Sequence, residues 1–307
     1  MRLRHLFLIP ALLSSTFAAG EDWTADYEAA KKRAAAEGKD LLIDFTGSDW
    51  CAWCIKLRKE VFEQPGFAPA KDKFVLLELD YPKDESRVSE AVATQNAALI
   101  KKYPIKGYPT ILLCDASGKP FAATGYQPGG PDKYLPHLDT LLAKKSARDQ
   151  AIASASSKDG VEKARLLIGA LEGMGLDNSM LVSNYPELAA EIKAADPADA
   201  TGFTARQGNE EAFATFMAKL GELRSKQDLE GAMKHVETTL ADGTIKGELR
   251  QQVYGHAAGT LASAGKKDEA IAILKRAIAE SPDGPRTKEL SDFIAILERE
   301  KAGLPPK

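Results

Sequence analysis

In the stretch Asp49-Trp50-Cys51-Ala52-Trp53-Cys54 two thiols stand three positions apart, just after an apolar run, Leu41-Leu42-Ile43-Asp44-Phe45. A short apolar run of this kind reads as a buried strand handing over to a helix. On an α-helix, three residues give a rise of about 4.5 Å and a rotation of about 300°, so the two Cα atoms lie roughly 5 Å apart, a separation a disulfide tolerates. Such a pair closes and reopens with little backbone movement. That makes it a candidate redox switch.

The thiolate is the reactive form of cysteine, so a redox thiol needs a depressed pKa. Cys51 falls at the N-terminus of the expected helix, where unpaired N–H groups and the helix dipole favour an anion. Cys54 lies one turn inside, shielded, and suited to resolve a mixed disulfide by attacking Cys51. Asp49 places an opposing negative charge nearby. Half of a zinc site has the same spacing, but a second half is missing: Cys114 stands alone, and His5, His137, His235 and His256 form no ligand pair. A purely structural disulfide remains open too, although it would close a very small ring and staple nothing distant. No metal and no cofactor is expected.

Working outward, the chain is long for one domain, and its 44% apolar content fits a folded protein with a core rather than a disordered one. A formal charge of −3 gives no sign of nucleic-acid binding, and no apolar run reaches membrane-spanning length. Residues 1–18 read as an export signal: Arg2 and Arg4 form a positive start, Leu6 to Leu13 an apolar centre, and Ala18 a small residue at the cleavage point. Export, to a bacterial periplasm, places the chain where disulfides form. With only three Cys in 307 residues, a catalytic pair fits better than a disulfide framework.

Residues 23–37, with Trp23, Tyr27, Ala30 and Ala34 on one face, predict an amphipathic helix ended by Gly38. Strands are expected at 41–45, 74–80, 110–114 and 121–124, with helices at 51–63, up to about 102, and at 132–145. Asp115 to Gly118 reads as a turn. The early β-α-β order argues parallel pairing and the late hairpin antiparallel pairing, giving a mixed sheet with helices on its faces. After about Ser146 strand-like runs vanish and Ala, Leu, Glu and Lys recur at helical spacing, broken near Gly173 to Gly175, Gly202 and Gly208. Tyr254, Ala258, Leu261, Ala270, Leu274, Ala277 and Pro282 fall on a tetratricopeptide-like pattern, echoed weakly by Phe216, Leu223, Ala232 and Val236. The expected organisation is therefore a signal at 1–18, an α/β domain at 22–145 and an all-α domain with tetratricopeptide-like hairpins at 146–307.

Trp50 to Cys54 after Leu42-Ile43-Asp44-Phe45, followed by Gly107-Tyr108-Pro109-Thr110 and the turn at 115–118, resembles the thioredoxin family, and in its Gly-Ser-Asp-Trp-Cys entry the exported bacterial members. The resemblance covers about residues 22–145. It implies a thioredoxin fold with Cys51 as attacking and Cys54 as resolving thiol. It implies that Pro109 is cis beside the disulfide, that Tyr108 offers its backbone to an extended substrate, and that Asp44 is a buried carboxylate exchanging a proton with Cys54. Burial should raise the pKa of Asp44 and suit it to that work. The chain departs from the family in four places. The loop from Asp44 to Cys51 is one residue longer, no Lys on the second strand faces Asp44, extra residues lie around Pro82 to Asn96, and Ala-Trp stands between the cysteines.

Trp50 reads as a shield or substrate platform and Trp53 as an exposed substrate contact. Cys114 reads as a small core hydrophobe, and Lys56, Arg58 and Lys59 as a solvated helix face. The leading expectation is an exported thiol–disulfide oxidoreductase that acts on protein thiols or disulfides and is restored by a redox partner. Its helical region is a candidate surface for a peptide or protein. The other reading is a periplasmic interaction protein whose thioredoxin-like part is a scaffold or thiol sensor.

Overall fold

The computed structural model describes residues 22–304, so the expected export signal at 1–18 lies outside the described residues. The chain divides into two compact units, Met1–Asp196 and Pro197–Lys307.

The first unit is built on strands β1 (Trp23–Thr24), β2 (Asp40–Thr46), β3 (Phe74–Asp80), β4 (Thr110–Cys114) and β5 (Pro120–Thr124). They lie in the order β1-β3-β2-β4-β5, with β2 parallel to β3 and antiparallel to β4. Helix α1 (Tyr27–Glu37) starts later than its apolar pattern predicts, because Asp26 caps it by accepting from the Ala29 N–H at 2.9 Å. Trp23 consequently lies outside the helix, in the edge strand, with its ring 5.0 Å from that of Phe62. Gly38, at φ 65°, ends α1 in the left-handed conformation that glycine adopts without penalty.

Every residue of β2 is buried, so the strand is covered on both faces. Because side chains alternate along a strand, Leu41, Ile43 and Phe45 face one layer. There they join Val75, Leu77, Leu79, Leu112 and Cys114 beneath α1 and α3 (Glu90–Lys102). The other face carries Leu42, Asp44 and Thr46. Helix α2 (Ala52–Leu57) continues as a π-helical turn, Arg58–Phe62, and a 3₁₀ stretch, Pro65–Asp72, leads into β3.

The composition changes near Ser146, but the backbone does not: helix α4 runs from Pro131 to Ala155. Helices α5 (Gly160–Met174), α6 (Asn178–Asn184) and α7 (Pro186–Ala195) complete the first unit. Arg148 of α4 holds the segments together, reaching the Tyr185 hydroxyl at 2.7 Å and Asp115 at 3.3 Å. Removing one partner of such a buried pair would leave the other charge uncompensated, which is costly.

The second unit comprises α8 (Phe203–Ser225), α9 (Leu229–Asp242), α10 (Gly247–Ser263), α11 (Lys267–Glu280) and α12 (Thr287–Lys301). Gly208, expected as a break, lies inside α8. Phe216, Leu223, Ala232, Val236, Tyr254, Ala258, Leu261, Ala270, Leu274 and Ala277 share one core, so the helical periodicity does bury a common surface. Among the described residues no helix is long and apolar enough to cross a membrane.

Candidate redox site

Strand β2 ends at Thr46, and the turn that follows is tied down at every residue. The Cys51 N–H returns to the Gly47 carbonyl at 2.9 Å. A Cβ at Gly47 would collide with the Trp50 indole, so the ring packs where only glycine leaves room. Ser48 gives its N–H and hydroxyl to the Asp80 carboxylate at 2.9 and 2.6 Å. Asp49 accepts the backbone N–H groups of Lys83 and Asp84 at 2.9 and 2.8 Å. Trp50 Nε1–H donates to the Tyr81 carbonyl at 2.8 Å. The one-residue longer loop is thus stitched to the end of β3 and to the start of the segment where the extra residues lie.

Asp49 is engaged by these backbone donors, first Asp84 and then Lys83, which hold its pKa below the usual range, so it keeps the negative charge expected near Cys51.

Cys51 is the N-cap of α2, and its Sγ accepts the Cys54 N–H at 3.2 Å. The two cysteines are disulfide-bonded, with Cα atoms 5.2 Å apart. Cys51 is 6% exposed and Cys54 3%, whereas the flanking Trp50 and Trp53 are 40% and 55% exposed. The disulfide is therefore largely covered while the indoles that flank it in sequence stand out to solvent. The Tyr108–Pro109 peptide bond is cis. Strand β4 begins at Thr110, opposite Phe45, which brings this bond to the end of β2 from which the cysteine loop departs. Trp50 meets Tyr108 edge-on at 5.4 Å, and Tyr108 meets Tyr81 at 5.7 Å. On the other side Trp53 lies 5.2 Å from Tyr126, with the Lys56 ammonium 5.2 and 4.9 Å from the two rings.

Asp44 is 3% exposed and its Oδ1 has no hydrogen-bond partner. Burial pushes its pKa from 3.8 up to about 7, with Arg58 pulling it down and Asp80 adding to the rise. Cys114 is buried and unpaired, and burial pushes its thiol well up, so it stays an inert thiol. Among the described residues no three His, Cys, Asp or Glu side chains group as metal ligands.

Cys51, Cys54, Asp44, Trp50, Trp53, Tyr108 and Pro109 thus gather at one end of the sheet. Tyr81, Tyr126, Glu78 and the Arg58 guanidinium join them. Arg58 had read as part of a solvated face; it forms an ion pair with Glu78.

Residues 27–141 match the thioredoxin-like domain family. The chain is also similar to the disulfide bond reductase DsbH of Chlamydia pneumoniae, 31% identical over 126 residues, which are 41% of this chain and 75% of that protein. The chain belongs to the thioredoxin-like family. It is similar as well to the thioredoxin-related protein DsbJ of the same organism, 39% identical over 92 residues, 30% of this chain and 26% of that one. A third relative is the thiol:disulfide interchange protein DsbD of Vibrio vulnificus (strain CMCP6), at 29% over 106 residues, 34% of this chain and 16% of that one. The chain spans well under two thirds of the latter two. A thioredoxin fold carrying a CxxC disulfide, homologous to bacterial Dsb proteins, has the equipment of a thiol–disulfide oxidoreductase.

Proposed function

We propose that this chain reduces disulfide bonds of proteins in an exported compartment, the bacterial periplasm. The observation that carries the reading is Cys51 at the N-cap of α2, bonded to Cys54 one turn inside and flanked by two exposed indoles. In the reduced pair, the helix terminus favours the Cys51 thiolate. That thiolate attacks a substrate disulfide: the substrate S–S bond breaks, a mixed disulfide forms on Cys51, and one substrate thiol leaves. Cys54 then attacks the Cys51 sulfur, closes the internal disulfide and releases the second thiol. Two electrons pass from the pair to the substrate. Asp44, buried and able to change protonation near neutrality, takes the Cys54 proton. Trp50, Trp53, Tyr108 and Pro109 line the groove in which an extended substrate segment lies.

The reducing direction draws support from the likeness to a protein named as a disulfide bond reductase. A second redox protein supplies electrons to reopen the Cys51–Cys54 bond. The shared core of α8 to α12 supports a tetratricopeptide-like reading of the helical region, as a surface for a peptide or protein partner that brings particular substrates.

The test is turnover of a protein disulfide such as insulin with dithiothreitol as electron source. Cys51→Ser should lose at least about a thousandfold in rate. Cys54→Ser should accumulate a substrate adduct on Cys51, seen by mass spectrometry. Turnover by Cys51→Ser at the wild-type rate would overturn the reading.

A further inference from the structure

Cys54 borders more than the substrate side of the site. It also forms part of the wall of a cleft of about 460 Å³, together with Thr46, Ser48, Arg58, Glu78 and Asp80. Asp44 and Glu78 are register partners on the parallel β2–β3 pair, so their side chains leave the sheet on the same face, side by side. Two acids in that position need a cation. The sequence offers no lysine there, and the structure supplies Arg58 from the turn after α2, paired with Glu78. The Arg58 side chain is 39% exposed and that of Glu78 23%, so the pair stands where the cleft meets solvent.

We infer that Arg58, held by Glu78 at the mouth of this cleft, is a positioning residue for proton exchange at Cys54. The inference rests on the reading of Cys54 as the resolving thiol. In that step the bond between Cys51 and the substrate sulfur breaks and the Cys51–Cys54 bond forms. The substrate sulfur departs with the electron pair of the broken bond and is protonated by water. The Cys54 proton passes to the Asp44 carboxylate, which becomes the neutral acid.

Asp44 can accept only while it is ionised. A guanidinium beside it favours the carboxylate, and Glu78 tempers that field by drawing on the same charge. The field of Arg58 on Asp44 has the sign this requires. The other charged or titratable groups around the two sites are few. They are Lys56 and Lys59 on the helical segment with Glu63 just after it, Asp80 on β3, Arg87 beyond it, and Tyr134 on α4 with His137 one turn further along. Strand β4 presents Ile111 opposite Asp44 and adds no titratable group.

The reaction of the reduced full chain with 4,4′-dithiodipyridine separates the steps, since this uncharged disulfide releases one thiopyridone on attack by Cys51 and a second on resolution by Cys54. The first phase serves as the reference within each variant. For Arg58→Met the pH midpoint of the second phase should move up, by as much as about one unit. For Glu78→Gln it should move down, and Arg58→Lys should restore most of the wild-type profile. Loosened packing cannot move two variants in opposite directions. Midpoints that stay put in both, or move the same way in both, overturn the inference; if one variant fails to fold, the direction in the other together with the Arg58→Lys profile decides it. A second release at the wild-type rate from Cys54→Ser would instead sink the assignment of Cys54 as resolving thiol, which is a separate failure.

Discussion

Asp40 and Asp44 stand near the two ends of β2, on the same face of one strand, both buried at 8% and 3% exposure, and they differ in what meets them. Asp40 receives the Lys145 ammonium of α4 at 2.5 Å. Asp44 receives nothing at its Oδ1, and burial lifts its pKa to about 7. A buried carboxylate without a partner is costly, and mutation readily relieves the cost. The first aspartate is matched by a countercharge, as a structural acid is. The second has no such match and is poised to titrate near neutrality, as a working acid does. Burial alone therefore does not separate the two. The partner does.

The largest effect that tests this contrast is the pH dependence of stability. Asp44 binds its proton more tightly in the folded chain than in the unfolded one, so its contribution to stability falls as pH rises from about 4 to about 7. A rise from 3.8 to about 7 corresponds to about 4 kcal/mol across that range. Asp44→Asn cannot ionise and should remove this slope, leaving the oxidised variant more stable than wild type at pH 8 and little changed at pH 4. All three tryptophans lie in the first unit, so urea unfolding followed by their fluorescence reports that unit alone. Equal pH dependence in the two proteins would place Asp44 in the same class as Asp40.

Next in size is the rate of resolution. Asp44→Asn should slow the second thiopyridone release by about a hundredfold, or about 2.7 kcal/mol of barrier, the lower range for a positioned general base. Asp40→Asn, at the other end of the strand, should change it less than about twofold. A variant that is thus more stable and slower would show stability given up for function at one residue.

Much of this contrast was legible before any coordinates. The thiol pair, the buried run around Asp44 and the later Tyr108-Pro109-Thr110 each sit within a few residues of a strand end, where local pattern is strong. The pairing of Asp44 with Glu78 was not legible, because register is set by tertiary packing across the 33 residues between them. Arg58 looked solvated for the same reason: its partner is on another element. Tyr126 lies in a Gly- and Pro-flanked loop, where periodicity says nothing about facing Trp53. Trp23 fitted the helical face of α1, and the cap at Asp26 overrode that spacing. The Ala- and Lys-rich stretch after Ser146 looked like a new domain because composition changed there while α4 ran on.

The smallest effect concerns the paired end of β2. Lys145 is 33% exposed and the Asp40 side chain 11%, so water screens part of their attraction. Lys145→Met should cost about 1 kcal/mol, more than a fully exposed pair and less than a sealed one. Asp40→Asn should cost less, since the freed lysine can swing into solvent whereas an orphaned carboxylate cannot. The double variant should recover part of the Lys145→Met loss, and that coupling is what denaturation of the four proteins measures. If Lys145→Met proves neutral, Asp40 does not depend on its partner. The two ends of the strand would then differ in chemistry but not in how the fold handles charge.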